Sequence, residues 1–235
     1  MKSKPHHHLA PSDQTPEELR AASGFLTPDL PVAPPRIWLA SASPRRAELL
    51  QRLGVPFDFL PNLADEAAPT EEDNAHPEHY VQTLARHKSQ NAILDSPSGF
   101  DIILTADTIV WHEGAILNKP VDEAEARLML QRLRASMHHV YTGVCLRVER
   151  NGASKYFEAQ EKTAVHFRDV DDEWIARYIE SGEPMDKAGA YAAQGRGAML
   201  VERIEGDYMN VVGLPLARLS KLLEEIGAPV ENWWL

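Results

Sequence analysis

Cysteine and long apolar runs are nearly absent from this chain of 235 residues. Cys145 is the only cysteine, so no disulfide can form within the chain, and a reducing compartment is expected. No apolar stretch approaches the ~18–20 residues that a membrane-spanning helix needs, and the first residues lack the apolar centre of a signal peptide. These absences predict a cytoplasmic protein that does not enter a membrane.

Positive charge is also scarce. The chain has 24 Lys and Arg residues against 35 Asp and Glu residues, which gives a net charge of −11. This balance argues against bulk electrostatic binding to nucleic acids or to an anionic membrane surface. It stays compatible with a local cationic pocket for a small phosphorylated ligand. With 43% hydrophobic and 25% charged residues, the composition is that of an ordinary globular protein.

Several common catalytic signatures are missing. The scattered histidines and the single cysteine have no zinc-binding spacing, and no Gly-x-Ser-x-Gly elbow occurs. A Walker-type phosphate loop and a dinucleotide-binding fingerprint are absent as well. His6-His7-His8 could bind a metal ion, but it is interpreted as a short surface run. We predict that His138-His139 precedes a strand and belongs to edge structure rather than to a catalytic pair.

Proline divides the chain into two parts. Seven of the 17 prolines lie before residue 36, and proline fixes φ and removes a backbone donor. Residues 1–35 are therefore predicted to form an extended or partly disordered arm, and residues 36–235 the globular domain. In that domain strands and helices alternate, but several strands follow one another directly. This order favours an α/β fold with a mixed sheet over a fully parallel one.

Hydrophobic periodicity and capping residues predict the elements of the domain. The predicted strands cover 37–40, 55–60, 102–110, 139–148, 157–167 and 198–204. The predicted helices cover 44–53, 77–94, 122–133, 171–182 and 214–226. The acidic segment 65–73 is predicted to be a loop, and 210–215 a turn before the last helix.

The segment Ser43-Pro44-Arg45-Arg46 is unusual for the start of a helix. Its serine suits the N-cap and its proline the first helical position, so both arginines fall where the helix dipole disfavours cations by about 0.3–1 kcal/mol each. Backbone N–H groups at a helix start attract anions. Ser41, Ser43 and both guanidinium groups are therefore candidate ligands of a phosphate chain. Alternatively, the arginines face solvent or pair with Glu48 or another acid.

A carboxylate interrupts an apolar strand. Asp107 follows Ile102-Ile103-Leu104 and precedes Ile109-Val110, and its burial is costly unless it has a partner. An ion pair or loop amides would be a structural partner, whereas a metal ion or a water to be activated would be a functional one. Glu66 is a candidate second ligand, although such acidic runs are commonly solvated. Two carboxylates suit Mg²⁺ when substrate phosphates complete its shell.

Three lysines are further candidates for contacts with phosphate: Lys88, Lys119 and Lys187. Each is ordinary when taken alone, because exposed lysines are common. Asp186 is a ready ion-pair partner for Lys187, which would make that lysine structural.

Seven motifs occur in an order that points to a family. They are Leu39-Ala40-Ser41-Ala42-Ser43-Pro44-Arg45-Arg46, Ala106-Asp107-Thr108-Ile109-Val110, Lys119-Pro120, Thr142-Gly143-Val144, Glu183-Pro184-Met185-Asp186-Lys187-Ala188-Gly189-Ala190-Tyr191, Gln194-Gly195 and Val211-Val212-Gly213-Leu214-Pro215. Together they resemble the Maf family of nucleoside triphosphate pyrophosphatases. The resemblance extends from about Arg36 to the last helix, which leaves out only the arm.

The resemblance implies a fold and an activity. The fold would be inosine triphosphatase-like: an elongated, twisted mixed sheet with surrounding helices and a central cleft between two lobes. The activity would be hydrolysis of the α–β phosphoanhydride of a nucleotide, which yields a nucleoside monophosphate and pyrophosphate. The cofactor would be a divalent metal, Mg²⁺ or Mn²⁺.

The resemblance also implies roles by position. Asp107 would accept a proton from the attacking water and, with Glu66, hold the metal. The turn with Ser41, Ser43, Arg45 and Arg46 would bind phosphate together with the three lysines named above.

Three positions that separate the branches of the family are Arg45, Thr108 and Gln194 in this chain. This set resembles the dTTP and UTP pyrophosphatase branch, whereas the 7-methyl-GTP branch typically has Trp, Gln and Glu. The predicted partners are therefore dTTP and UTP, without nucleic acid or membrane, and a homodimer is implied by family likeness only. Two alternatives stay open: a broader or 7-methyl-GTP-type pyrophosphatase, and a non-catalytic regulator of cell division.

Overall fold

The computed structural model describes residues 34–61, 68–96 and 98–234. The predicted arm lies outside the described residues except for Pro34 and Pro35, and so do His6-His7-His8 and Glu66. The division into an arm and a domain therefore stays a prediction.

A mixed sheet runs through the described residues. Its strands are β1 (Arg36–Leu39), β2 (Phe57–Phe59), β3 (Phe100–His112), β4 (Ala115–Leu117), β5 (Met137–Arg150), β6 (Ala153–Phe167) and β7 (Val201–Glu205). The strand order is β2-β1-β3-β5-β6-β7, and β4 pairs with β3. β1 is parallel to both β2 and β3, whereas the other pairs are antiparallel. The predicted α/β class with a mixed sheet is confirmed.

Helices cover this sheet. They are α1 (Pro44–Arg52), α2 (Glu71–Ala75), α3 (Pro77–Asn91), α4 (Glu123–Leu133), α5 (Asp172–Glu180), α6 (Tyr208–Val212) and α7 (Leu216–Glu225). Short 3₁₀ turns cover Glu183–Asp186, Ala188–Ala190, Gly195–Leu200 and Val230–Trp233. Within the described ranges, no helix is long and apolar enough to cross a membrane.

The two sides of β3 and β5 pack against different helices. On one side, Tyr80 and Val81 of α3 form a buried cluster with Ile109 and Tyr141. On the other side, α4 and α5 contribute to a larger cluster that includes Val110. Successive side chains of a strand point to opposite faces, so Ile109 and Val110 belong to different clusters. Both faces of β3 are therefore buried, as its apolar sequence predicts.

Short elements account for most of the differences from the sequence prediction. Part of the predicted acidic loop is helix α2, because Thr70 and Asp73 form a reciprocal capping box. The predicted turn at 210–215 contains the end of helix α6, whose first turn is capped by the side chain of Asp207. The strand predicted over 198–204 begins only at Val201, because a 3₁₀ turn precedes it.

The prediction for His138-His139 was wrong. Both histidines lie within β5, which is paired on both sides, and not before a strand at an edge. The side chain of His138 is fully buried, and its Nε2 lies 2.8 Å from the hydroxyl of Tyr191. Burial is the largest cause that lowers the pKa of His138 to about 3, and the neighbouring His112, His139 and His166 add to it. His138 is therefore a neutral core residue.

Candidate active site on both faces of β3

Asp107 and Thr108 are neighbours on β3 that face opposite sides of the sheet. Thr105 donates a hydrogen bond of 2.7 Å to the carbonyl of Ala85 on α3, so the odd-numbered residues at this point face α3. Asp107 shares that face with Thr105. Thr108 faces the other side, where it meets Arg46 of α1.

Asp107 is an almost buried carboxylate, and its side chain is 11% exposed. Its Oδ1 accepts a hydrogen bond of 2.8 Å from the backbone N–H of Thr108. The ammonium of Lys88 lies 3.1 Å from Oδ2, close enough for an ion pair. This contact lacks hydrogen-bond alignment, so Oδ2 accepts no hydrogen bond from the described residues. Asp107 therefore has one fixed oxygen and one that retains the capacity to bind a ligand.

Gly143 explains how Lys88 reaches Asp107. It is the register partner of Asp107 on β5. A Cβ atom at this glycine would lie 2.6 Å from the carbonyl oxygen of Val81, so only glycine lets α3 approach so closely. Val81 and Ala85 are fully buried on the same side of α3, and Lys88 follows them at helical spacing. The packing of α3 thus determines where the ammonium lies.

Arg46 connects three separate segments of the chain. Its Nε donates to the carbonyl of Gly213 at 2.8 Å, and its two terminal nitrogens donate to the hydroxyls of Ser41 at 3.0 Å and Thr108 at 3.1 Å. The residue is 8% exposed. Because the fork of a guanidinium is rigid, these bonds fix the position of a positive charge beside β3.

A relay of hydrogen bonds continues from Thr108 across the sheet. The hydroxyls of Thr108 and Thr142 lie 2.9 Å apart, and Thr142 donates to the carbonyl of Asn210 at 3.1 Å. Each hydroxyl has one proton, so Thr108 accepts from Arg46 and donates to Thr142. Asn210 in turn donates to Val140 O at 3.0 Å. The hydroxyl of Thr108 is therefore engaged within the protein.

The turn before α1 differs in one respect from the prediction. Ser43 has the backbone geometry of an N-cap, but its side chain makes no capping hydrogen bond. Instead, the hydroxyl of Ser41 accepts from the Ser43 N–H at 3.2 Å, in addition to its bond from Arg46. Ser41 thus holds the turn in shape.

Arg45 points towards another segment than Arg46. One of its terminal nitrogens lies 3.7 Å from a carboxylate oxygen of Asp186. Asp186 also forms an ion pair with Lys187, the structural pairing left open by the sequence. The Lys187 ammonium donates in addition to the carbonyl of Glu183 at 3.2 Å. Asp186 thereby brings together two of the cations predicted to bind phosphate.

The remaining predicted residues are less engaged. Lys119 is exposed and forms no hydrogen bond or ion pair with the described part of the chain, but the carbonyl of the preceding Asn118 accepts a hydrogen bond of 3.1 Å from Gly189 N. The half-buried side chain of Gln194 likewise forms no hydrogen bond to the described residues. Contacts thus connect Asp107 with Lys88, Arg46 with Ser41 and Thr108, and Arg45 with Lys187 through Asp186. They do not include Lys119 or Gln194.

The sequence between β1 and the last helix matches a known family. Residues 36–226 fit the family model described as Maf-like protein. The chain belongs to the Maf family. The match covers every described element from β1 to α7, which agrees with the extent of the resemblance stated above.

Three similar Maf proteins share one name. The dTTP/UTP pyrophosphatase of Salinibacter ruber is 49% identical over 187 residues, which are 79% of this chain and 88% of that protein. The dTTP/UTP pyrophosphatase of Carboxydothermus hydrogenoformans is 45% identical over 192 residues, 82% of this chain and 99% of that protein. The protein of the same name from Caldicellulosiruptor saccharolyticus is 42% identical over 194 residues, 82% of this chain and 95% of that protein.

Sequence reasoning missed several residues that shape this Maf site. Thr142, Gly143 and Glu183 lie within the quoted motifs, but no role was assigned to them. Asn210 was interpreted only as turn chemistry, although it is fully buried. A polar residue beside Val211-Val212 is a weak signal for a buried hydrogen bond, and its partners lie far away along the chain.

Proposed function

We propose that this Maf-family protein hydrolyses dTTP and UTP to the nucleoside monophosphate and pyrophosphate. The observation that carries the proposal is the likeness to proteins named dTTP/UTP pyrophosphatase, at 42–49% identity over about 80% of the chain. The residues Arg45, Thr108 and Gln194 support the same choice of base, because they match the pattern that the family resemblance implies for this branch.

The reaction needs a base for water and positive charge for the phosphates. Water adds its oxygen to one phosphorus of the α–β anhydride and gives up a proton, and the bridging oxygen leaves with the other phosphate group. Asp107 accepts that proton. The ammonium of Lys88 forms an ion pair with Asp107 at 3.1 Å and so adds positive charge beside the site of attack.

The arginines and lysines bind and orient the triphosphate. Arg46 is anchored at three points, so its charge needs no reorganisation when the anhydride breaks. Arg45 and Lys187 are held in reach of each other by Asp186, and a triphosphate competes with that carboxylate for both. Lys119 is exposed and contributes a further positive charge.

The donor set around Asp107 fits a divalent metal. Oδ2 of Asp107 is buried without a hydrogen bond from the described residues, and carboxylate oxygens are the ligands that Mg²⁺ and Mn²⁺ prefer. Asp107 would hold the ion together with Glu66. When bound, the ion would neutralise charge on the phosphates.

We propose that the side chain of Gln194 recognises the base. Its amide offers both a donor and an acceptor, as the edge of a pyrimidine requires, and it forms no hydrogen bond to the described protein. Thr108 contributes differently, because its hydroxyl is already bound by Arg46 and Thr142. We assign to Thr108 an influence on specificity through the position of the Arg46 guanidinium.

A panel of nucleotides tests this proposal. Purified protein is incubated with dTTP, UTP, dCTP, dGTP, ATP and 7-methyl-GTP, with Mg²⁺, with Mn²⁺ or with EDTA, and pyrophosphate is measured apart from phosphate. We expect pyrophosphate from dTTP and UTP with the highest kcat/KM, and none with EDTA. A preference for 7-methyl-GTP would assign the protein to the other branch. No pyrophosphate from any nucleotide would favour a non-catalytic regulator.

A further inference from the structure

The segment that carries Lys187 and Gln194 is organised around one carboxylate. Oε1 of Glu183 accepts hydrogen bonds from the backbone N–H of Gly197 at 2.8 Å and from the hydroxyl of Tyr178 at 3.0 Å. Its Oε2 accepts from the N–H of Arg196 at 3.1 Å. Burial raises the pKa of Glu183, but these three hydrogen bonds outweigh it and bring the pKa below its ordinary value. The carboxylate is therefore ionised and saturated.

Tyr178 extends this anchor to the other side of Gln194. It is 3% exposed on α5, and its hydroxyl accepts a hydrogen bond of 3.3 Å from the N–H of Ala192. The backbone is thus tied at Ala192 before Gln194 and at Arg196 and Gly197 after it. Between these points the side chain of Gln194 makes no hydrogen bond to the described residues. The protein fixes the backbone here and leaves the amide for a ligand.

Two glycines show how closely the turn encloses the carboxylate. A Cβ atom at Gly195, where φ is +66°, would lie 2.7 Å from Oε2 of Glu183. A Cβ atom at Gly197 would lie 2.4 Å from the Tyr178 hydroxyl. Such contacts exclude any other residue without a shift of the turn. The turn therefore packs tightly against the side chains of both Glu183 and Tyr178.

Glu183 also contacts the second functional part of the segment. Its backbone carbonyl accepts a hydrogen bond of 3.2 Å from the ammonium of Lys187. One residue therefore holds the turn of Gln194 through its side chain and Lys187 through its main chain. A change of the side chain alone disturbs the first function and spares the second.

We propose that Glu183 is a positioning residue for nucleotide selectivity, which it exerts by holding the backbone on both sides of Gln194 through its carboxylate and Tyr178. This inference rests on the proposed function, in which Gln194 contacts the base. It goes further by assigning the accuracy of that contact to a residue that does not touch the base.

The test compares two ligands, only one of which carries a base. Glu183→Gln replaces one carboxylate oxygen by an NH₂ group, which cannot accept a hydrogen bond from the N–H of Arg196. Tyr178→Phe removes the hydroxyl that bonds to Glu183 and to the N–H of Ala192. Glu180→Gln is the matched control, because Glu180 is an exposed acid at the end of α5. For each folded variant we measure kcat/KM for the best and the worst nucleotide of the panel, and inhibition by inorganic tripolyphosphate, which has no base.

We expect Glu183→Gln to lower the ratio of the two kcat/KM values by about tenfold or more, which corresponds to the loss of one charge-assisted hydrogen bond. Tyr178→Phe should have a smaller effect in the same direction, and Glu180→Gln none. The inhibition constant of tripolyphosphate should stay within about twofold of the wild-type value, because Lys187 keeps its carbonyl partner.

An unchanged ratio in Glu183→Gln and Tyr178→Phe would overturn the inference, and so would an equal weakening of nucleotide and tripolyphosphate. Should Glu183→Gln not fold, Tyr178→Phe alone decides. The proposed function is tested separately by the wild-type protein, since the best nucleotide is identified there before any variant is compared.

Discussion

The polar residues on the two faces of β3 differ in how fully they are hydrogen-bonded. On the α3 face, Asp107 has an oxygen without a hydrogen bond from the described residues and one ammonium beside it. On the other face, the hydroxyl of Thr108 both accepts and donates within a relay that starts at Arg46. The first arrangement leaves an oxygen of Asp107 that can bind water or a metal ion, whereas the second fixes the position of the Thr108 hydroxyl. In the proposed mechanism, reactivity and rigidity therefore lie on opposite sides of the sheet at this strand: we call the side of Asp107 the reactive face and the side of Thr108 the rigid face.

The largest effect is expected from Asp107→Asn on the reactive face. The amide cannot accept the proton of water, so kcat for the best nucleotide should fall about 10³-fold. Asp58→Asn is the matched control, because Asp58 is also an ion-paired carboxylate on a strand, with Arg36 at 2.8 Å, but is exposed and remote along the sheet. Steady-state kinetics checks both variants. More than about a tenth of wild-type turnover in Asp107→Asn would refute its role as the base.

Arg46→Lys tests the rigid face. Lysine keeps the charge but cannot reproduce three bonds in different directions, so the free energy of unfolding should fall by about 2–3 kcal/mol and kcat/KM about 100-fold. Arg45→Lys should cost less than about 1 kcal/mol of stability, because its one polar contact among the described residues is a loose ion pair with Asp186. Urea unfolding and steady-state kinetics measure the difference. Equal losses in the two variants would contradict the proposed anchoring role of Arg46.

Gly143→Ala perturbs the reactive face without touching its charges. The new methyl group would push against Val81 O, so α3 must shift and move Lys88 away from Asp107. We expect the free energy of unfolding to fall by about 1–3 kcal/mol, accompanied by a lower kcat. Gln160→Ala is the control, since Gln160 pairs with Gly143 on β6 but is exposed. A wild-type melting temperature and kcat for Gly143→Ala would show that α3 is not held by this contact.

The smallest effect concerns pH on the rigid face. His138 has a pKa of about 3 in the folded protein and about 6.5 when unfolded, so the unfolded chain binds the extra proton. Its contribution to stability is complete above pH 6.5 and is lost progressively as the pH falls towards 3. Between pH 6.5 and 5.5 we expect a loss of about 1 kcal/mol that His138→Gln does not show. Urea unfolding at both pH values measures it, with exposed His87→Gln as the control. Equal pH dependence in wild type and His138→Gln would exclude His138 as the source.

The sequence reveals the main chemical groups of the site because they violate local rules. Asp107 interrupts an apolar strand, and Arg46 lies at a helix start that disfavours cations. The resemblance to the Maf family adds Gln194 and Lys187, which no local pattern distinguishes. The roles of all of these residues stay predictions, and Glu66 lies outside the described residues.

Other features depend on register and on contacts between distant residues. Thr142 meets Asn210 across 68 positions of sequence, and nothing local to either residue indicates the pairing. The sequence pattern places His138 just before a strand, and only the length of the β5–β6 ladder shows that it lies within β5. Helices and strands of three to five residues, such as β4 and α6, are too short to show a period.

The bond from Arg46 to Gly213 spans 167 positions of the chain. A ribosome must therefore synthesise nearly the whole polypeptide before all three bonds to this guanidinium can form. A nascent chain that ends before Gly213 contains Asp107, Lys88 and both arginines, yet it lacks the carbonyl that fixes Arg46. Nucleotide hydrolysis should thus reach its full rate only once translation is almost complete.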